Sequence, residues 1–202
     1  MQDVTIAYGN RTVLDSLTLD VRAAERVAII GPSGSGKTTI LRLVMGLEKP
    51  SPGHIPIDGR YLWHVERAGA LVPAGERQAR RARRAVGMVF QQFNLFPHMT
   101  ALQNVTEPLV HVLRLGKDEA HQRATDLLSR VGLATHLDHH PAKMSGGQQQ
   151  RVAIARSLTL RPKLMIFDEV TSALDPDHVG GVLQVIHTLA LRPELAMIMD
   201  TD

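Results

Sequence analysis

Three short apolar runs punctuate the chain: Val27 to Ile30 (VAII), Leu164 to Phe167 (LMIF) and Ala196 to Met199 (AMIM). Four apolar residues in a row, with no polar alternation, predict strands buried on both faces. Between them apolar residues recur every three or four positions, as in KTTILRLVMGL after the first run and GGVLQVIHTLAL after the second. Alternating strand and helix predict an α/β fold with a mostly parallel sheet, where ligands sit at the carboxyl ends of the strands.

The stretch from Phe93 to Leu160 carries no strand pattern. It has helical segments such as KDEAHQRATDLLSRVGL, with Ala120, Ala124, Leu127, Leu128 and Val131 on one face, separated by Pro97, Pro108, Gly116, Gly132 and Pro141. This predicts a helical subdomain, residues 92–160, inserted into an α/β core made of 1–91 and 161–202. The segment EKPSPGHIPIDG predicts a turn-rich connection between short edge strands.

With 202 residues the chain is expected to form one folding unit. A composition of 44% hydrophobic and 21% charged residues excludes disordered and fibrous classes. The absence of cysteine excludes disulfides and thiolate metal sites. No apolar run reaches the roughly 18 residues of a membrane span, and MQDVTIAYGN has no secretory core, so a cytoplasmic chain is expected. Much of the net charge of +3 lies in ERQARRARR, Glu76 to Arg84. A solvated helix face is the plain reading of that run, and a patch for phosphate or nucleic acid is the other.

The candidate chemistry begins where the first strand ends. GPSGSGKTT, Gly31 to Thr39, fits G-x-x-x-x-G-K-[ST] between a predicted strand and a predicted helix. Glycines allow such a loop to turn its N–H groups around phosphate oxygens, and the helix start adds a positive dipole end. Lys37 would reach the β and γ phosphates, and the Thr38 hydroxyl would ligate Mg²⁺. Asp168 and Glu169 follow the second strand, beside that loop in a parallel sheet. Asp168 would hold Mg²⁺ through water, and Glu169 would orient or deprotonate an attacking water. In MSGGQQQRVAIARSL, Ser145 and Gln148 form a capping box that starts a helix with Val152, Ala155 and Leu158 inward. The glycines behind the cap leave N–H groups uncovered, a second anion site.

Taken in order, Tyr8-Gly9, GPSGSGKTT, MVFQQFNLFPHMT, MSGGQQQRVAIARSL and LMIFDEVTSALDP resemble the nucleotide-binding subunit of an ABC transporter over nearly the whole chain. The resemblance implies a P-loop NTPase fold, with a RecA-like, mostly parallel sheet and an inserted helical subdomain. It implies ATP and Mg²⁺ as ligands. Tyr8 would stack on adenine, and Gly31, Pro32, Ser33, Gly34, Ser35, Gly36, Lys37, Thr38 and Thr39 would hold the phosphates. Gln91, with Gln92 as second choice, would touch Mg²⁺ and the attacking water, and Glu169 would be the catalytic base. In the family two subunits pair head to tail. Ser145, Gly146, Gly147, Gln148 and Asp175 would therefore act on the partner's ATP, in a homodimer or paired ABC subunit.

The implied partners are membrane permease subunits and, indirectly, a solute-binding protein, with no nucleic acid expected. The chain would lie on the cytoplasmic face of the cell membrane. VFQQFNLFPHMTALQNV and DEVTSALDP are most similar to importers of polar amino acids, and Val170, where the family more often has proline, leans towards ectoine-like solutes. The alternatives are a soluble ABC-type ATPase acting on nucleic acid or ribosomes, and a nucleotide-binding module with little turnover.

Three departures from the family pattern stand out. Ala24 replaces a usual glycine, and Met144 replaces a usual leucine. In the third, the strand ends on Asp200, Thr201 and Asp202 where the family has a Thr-His pair whose His contacts the γ-phosphate; depending on register the His position is Thr201 or Asp202, and neither is a histidine. Family members also continue past this point, so a C-terminal truncation is expected, with binding of Mg-ATP but slow hydrolysis. His136, Asp138, His139 and His140 are read as a polar loop rather than metal ligands, and Trp63 is expected to pack at a sheet edge.

Overall fold

The computed structural model describes residues 1–201. An antiparallel pair, β1 (Val4–Tyr8) and β2 (Arg11–Leu17), leads to β3 (Arg26–Ile30) and α1 (Lys37–Val44). Two small hairpins follow, β4 (Pro56–Ile57) with β5 (Arg60–Tyr61) and β6 (His64–Arg67) with β7 (Ala70–Pro73). Then come α2 (Glu76–Arg83), β8 (Val86–Val89), α3 (Ala101–His111), α4 (Lys117–Arg130) and α5 (Gly146–Ser157). The chain returns through β9 (Leu164–Asp168), α6 (Pro176–Ala190) and β10 (Ala196–Thr201).

Four strands form the main sheet in the order β3-β10-β9-β8, all parallel. The last strand in sequence thus lies in the middle of the sheet, where AMIM can bury both faces; Ala196, Met197 and Ile198 are buried. Its register sets Asp200 beside both Ile29 and Asp168, so the carboxyl ends of β3, β10 and β9 open at one level. Among the described residues, Phe93 to Leu160 contains helices and turns and no strand.

One strand departs from expectation. The run Val27 to Ile30 is not buried on both faces: Arg26, Ala28 and Ile30 are exposed and Ile30 keeps 75% of its surface. The reason is position, because in the described sheet β3 pairs on one side only, with β10. An apolar run reports a preference for burial, and neighbouring strands decide how much of it is met.

One core cluster joins Leu41, Leu43 and Val44 of α1 to Val4, Ile6, Ile166 and Ile198. Another places Ala153 and Ile154 of α5 and Val182 and Ile186 of α6 against Met165, Phe167 and Met197. A third holds α3, α4 and α5 together through Val105, Leu109, Ala124, Leu128 and Val152. Met144 is buried in that third cluster, as a flexible leucine-sized side chain can be. Ala24 adopts φ 61°, the left-handed region that favours glycine, which gives its departure from the family pattern a physical content. Trp63 packs at the edge of the first cluster, and its Nε1 donates to the Glu48 carbonyl at 3.1 Å. In α2, Ala79 and Ala82 are buried while Arg77, Arg80, Arg81 and Arg84 beside it are exposed, as a solvated face requires.

Candidate functional site

Between β3 and α1 the chain turns through Gly34 at φ 79° and Gly36 at φ 101°. A side chain at Gly36 would be strained there and would also meet Val13 and Leu14. Gly36 is the N-cap of α1 and, having no side chain, makes no side-chain cap hydrogen bond to the first turn of the helix. Lys37 opens the helix, buried, with its Nζ donating to the Gly31 carbonyl at 2.5 Å and lying 3.9 Å from Asp200 Oδ1.

A cavity of about 280 Å³ lies above this turn. Pro32, Ser33, Gly34, Gly36, Lys37, Thr38 and Thr39 line it from the loop, Glu169 and Asp200 from the strand ends, and Arg11 and Val13 from β2. The predicted phosphate loop and predicted base therefore share one cavity. Glu169 has φ 45°, an uncommon conformation for a non-glycine residue and one that clusters at functional sites. Ser172 holds it, donating from both Oγ and backbone N to the Glu169 carbonyl at 2.8 and 3.1 Å. The Glu169 N–H donates to the Asp200 carbonyl at 3.3 Å.

Asp168 ends β9 half-buried. Its carboxyl is held above the usual range, first by desolvation and then by the Asp200 charge, with Arg42 opposing. Gathered carboxylates and the Thr38 hydroxyl are hard oxygen donors, a donor set that suits Mg²⁺. Gln91 lies beyond β8, exposed, and its Nε2 donates to Ser172 Oγ at 3.0 Å, which ties it to the turn that carries Glu169. Tyr8 ends β1, 47% exposed, and its hydroxyl is held by Glu48, whose hydrogen bond raises its pKa; Thr39 acts in the other direction. Tyr8 thus stands next to the loop without lining the cavity.

Ser145 and Gln148 form the predicted capping box at the start of α5: Ser145 N–H donates to Gln148 Oε1 at 2.9 Å, and Gln148 N–H to Ser145 Oγ at 3.3 Å. His136 steadies it, its Nε2 lying 3.0 Å from Gln148 Nε2. The two glycines have an internal reason that the sequence did not disclose. A Cβ at Gly147 would lie 3.0 Å from His178 Cβ and 3.2 Å from the His178 carbonyl oxygen, and one at Gly146 3.2 Å from Leu174. Asp175 is the exposed N-cap of α6. Neither Ser145 to Gln148 nor Asp175 lines the phosphate-loop cavity.

Sequence reasoning missed Asp200 as the neighbour of Lys37, because their proximity depends on β10 entering the sheet between β3 and β9. It also missed Arg11 and Val13. Asp202, where a histidine position was sought, lies outside the described residues, and Thr201 is the exposed last residue of β10.

The chain is similar to known proteins over most of its length. A family model described as "ABC transporter" matches residues 14–172. A probable amino-acid ABC transporter ATP-binding protein of Sinorhizobium fredii is 55% identical over 195 residues, 96% of this chain and 76% of that protein. An arginine transport ATP-binding protein of Corynebacterium glutamicum is 49% identical over 94% of this chain and 74% of that protein. A bacterial ABC transporter cassette solved as a dimer superposes with a TM-score of 0.81 at 35% identity, covering 99% of this chain and 86% of that one. The phosphate loop, the strand-end carboxylates and this kinship together show that the chain belongs to the ABC transporter family, as one of its ATP-hydrolysing subunits.

Proposed function

We propose that this subunit powers the uptake of polar amino acids. The observation that carries its ATPase part is the single cavity onto which Lys37, Thr38 and Glu169 converge. Lys37 and the loop N–H groups bind the phosphates, and Glu169 takes the proton from the attacking water as it adds to the terminal phosphorus while the bond from that phosphorus to the bridging oxygen breaks, leaving ADP and inorganic phosphate. Thr38 and Asp168, with Gln91 approaching through its link to Ser172, would hold Mg²⁺. The ion would supply charge neutralisation at the transferring phosphoryl group.

The relatives named for amino-acid and arginine transport support the solute class. The reading divides the chain into an α/β core, 1–91 and 161–202, and a helical subdomain, 92–160. Pairing of two subunits would bring Ser145, Gly146, Gly147, Gln148 and Asp175 to the partner's nucleotide, while Tyr8 stacks on adenine. Among the described residues no helix is long and apolar enough to cross a membrane; in this reading permease subunits carry the solute across. An open, mostly apolar groove of about 460 Å³ suits a permease segment; Met45, Met88, Phe90, Phe96, Pro108 and Val112 line it, and Phe96 and Val112 are exposed.

The test is affinity purification of the tagged chain from its own membranes, followed by reconstitution into liposomes. An integral membrane partner and ATP turnover stimulated by arginine or histidine in the presence of a binding protein are expected. Stimulation by ectoine alone would move the solute assignment. Co-purification with nucleic acid and no membrane partner would overturn the importer reading.

A further inference from the structure

Asp200 is a carboxylate with 5% of its surface exposed, carried by the central strand of the sheet. Its Oδ1 lies 3.9 Å from the Lys37 ammonium, and the two side chains keep only 2% and 8% of their surface. Both residues line the phosphate-loop cavity. Their placement is fixed from two directions: the register sets Asp200 between Ile29 and Asp168, and the Glu169 N–H donates to the Asp200 carbonyl.

A cation in a phosphate loop exists to meet phosphate. Here it already faces a buried negative charge in surroundings where charges are poorly screened. We propose that Asp200 is a resident counter-ion of the phosphate loop, one that an entering polyphosphate must outcompete at Lys37 and that weakens triphosphate binding more than diphosphate binding. The inference rests on the nucleotide-site reading above.

Two effects act in the same direction. The ammonium is partly neutralised by its neighbour, so each phosphate gains less from it. The carboxylate also repels the terminal phosphate, which carries the extra charge of a triphosphate to the tip of Lys37. Other charged groups surround this pair. Two more carboxylates stand nearby, Asp168 in register with Asp200 on the adjacent strand and Glu169 in the cavity lining. Arg42 opposes them at Asp168, and Arg11 lines the cavity from β2. A merely structural role is the competing account, since a buried lysine needs a counter-charge. That role would give Asp200 an effect on stability and none on the preference between nucleotides.

The test is Asp200→Asn, which keeps the shape and removes the charge. Affinities for ATP and ADP are measured by displacement of a fluorescent nucleotide, at low salt, with and without Mg²⁺. Asp200→Asn should bind ATP roughly tenfold more tightly than the parent and ADP about threefold more tightly, the gains shrinking at high salt. Equal gains for both nucleotides, no gain, or weaker ATP binding with an unchanged circular dichroism spectrum would each overturn the proposal. Weaker binding only in the presence of Mg²⁺ would overturn it in favour of a metal-ligand role. If the amide disturbs folding, Asp200→Val, which suits a central parallel strand, replaces it under the same criteria. A parent chain that bound no nucleotide would bring down the site reading itself, whereas a parent that binds and variants that gain nothing sink this inference alone.

Discussion

Helices α1 and α5 both begin on glycine-rich turns, but the first start is left open and the second is closed by its own side chains. At α1 the N-cap is Gly36 in a left-handed conformation with no side-chain cap, and a buried lysine follows at once. At α5 the Ser145 and Gln148 side chains each satisfy a backbone N–H of the helix start. The glycines differ in purpose as well. Gly34 and Gly36 supply backbone angles, while Gly146 and Gly147 supply thinness against Leu174 and His178. A helix start becomes a charged ligand site only where its N–H groups face a cavity and a cation accompanies them. By that measure α1 is complete within one chain. Under the proposed pairing, α5 would meet a nucleotide only on the partner's surface.

The largest break of this contrast is Lys37→Ala. Losing charge-assisted bonds to two phosphates should weaken ATP binding by roughly 10³-fold, since each such bond contributes about 1.5–3 kcal/mol. Fluorescent-nucleotide titration measures it, and an unchanged affinity would remove α1 from the site. Next comes Glu169→Gln, which keeps the fold of the turn and the Ser172 bonds to its carbonyl but cannot accept a proton. Turnover should fall about 10²-fold with ATP affinity nearly unchanged. A phosphate-release assay free of contaminating ATPase would show it, and normal turnover would place the base elsewhere.

At α5 the expected effects are structural and smaller. In Gly147→Ala the new methyl meets backbone of α6, and separating the two helices should destabilise the fold by about 1–3 kcal/mol despite alanine's better helix propensity. Gly181→Ala, where nothing lies within 4 Å, should instead stabilise α6 by about 0.5–1 kcal/mol. Thermal melting of the pair should give shifts of opposite sign; equal signs would mean that close packing is not why Gly147 is glycine. Ser145→Ala should cost about 1 kcal/mol through loss of the cap, with isolated-chain ATP affinity unchanged. A large loss of ATP binding in the monomer would show that α5 serves the nucleotide within its own chain.

Much of this protein was legible before its structure. The alternation of apolar strands and periodic helices carries its own physics, because strand and helix bury side chains at different periods. The loop Gly31 to Thr39 is equally local: glycine torsions, a helix start and one lysine are neighbours in sequence and stay neighbours in space. The capping box of Ser145 and Gln148 was visible for the same reason, since its bonds span three residues.

What remained hidden involves neighbours far apart in the chain. Ile30 reads as buried and is exposed, because burial depends on how many strands flank β3. The Gly147 contact needs α6 to cross α5, and Arg11 reaches the cavity only once β2 lies beside the loop. Asp200 is the clearest case. From sequence it was a departure at the end of an apolar run, with no partner in view. Sheet order places it against Lys37, 163 positions earlier, a proximity that no local propensity encodes. Local torsion and periodicity determined which elements form and which loop can hold phosphate; strand order and register, set by long-range packing, decided which charges that loop must face.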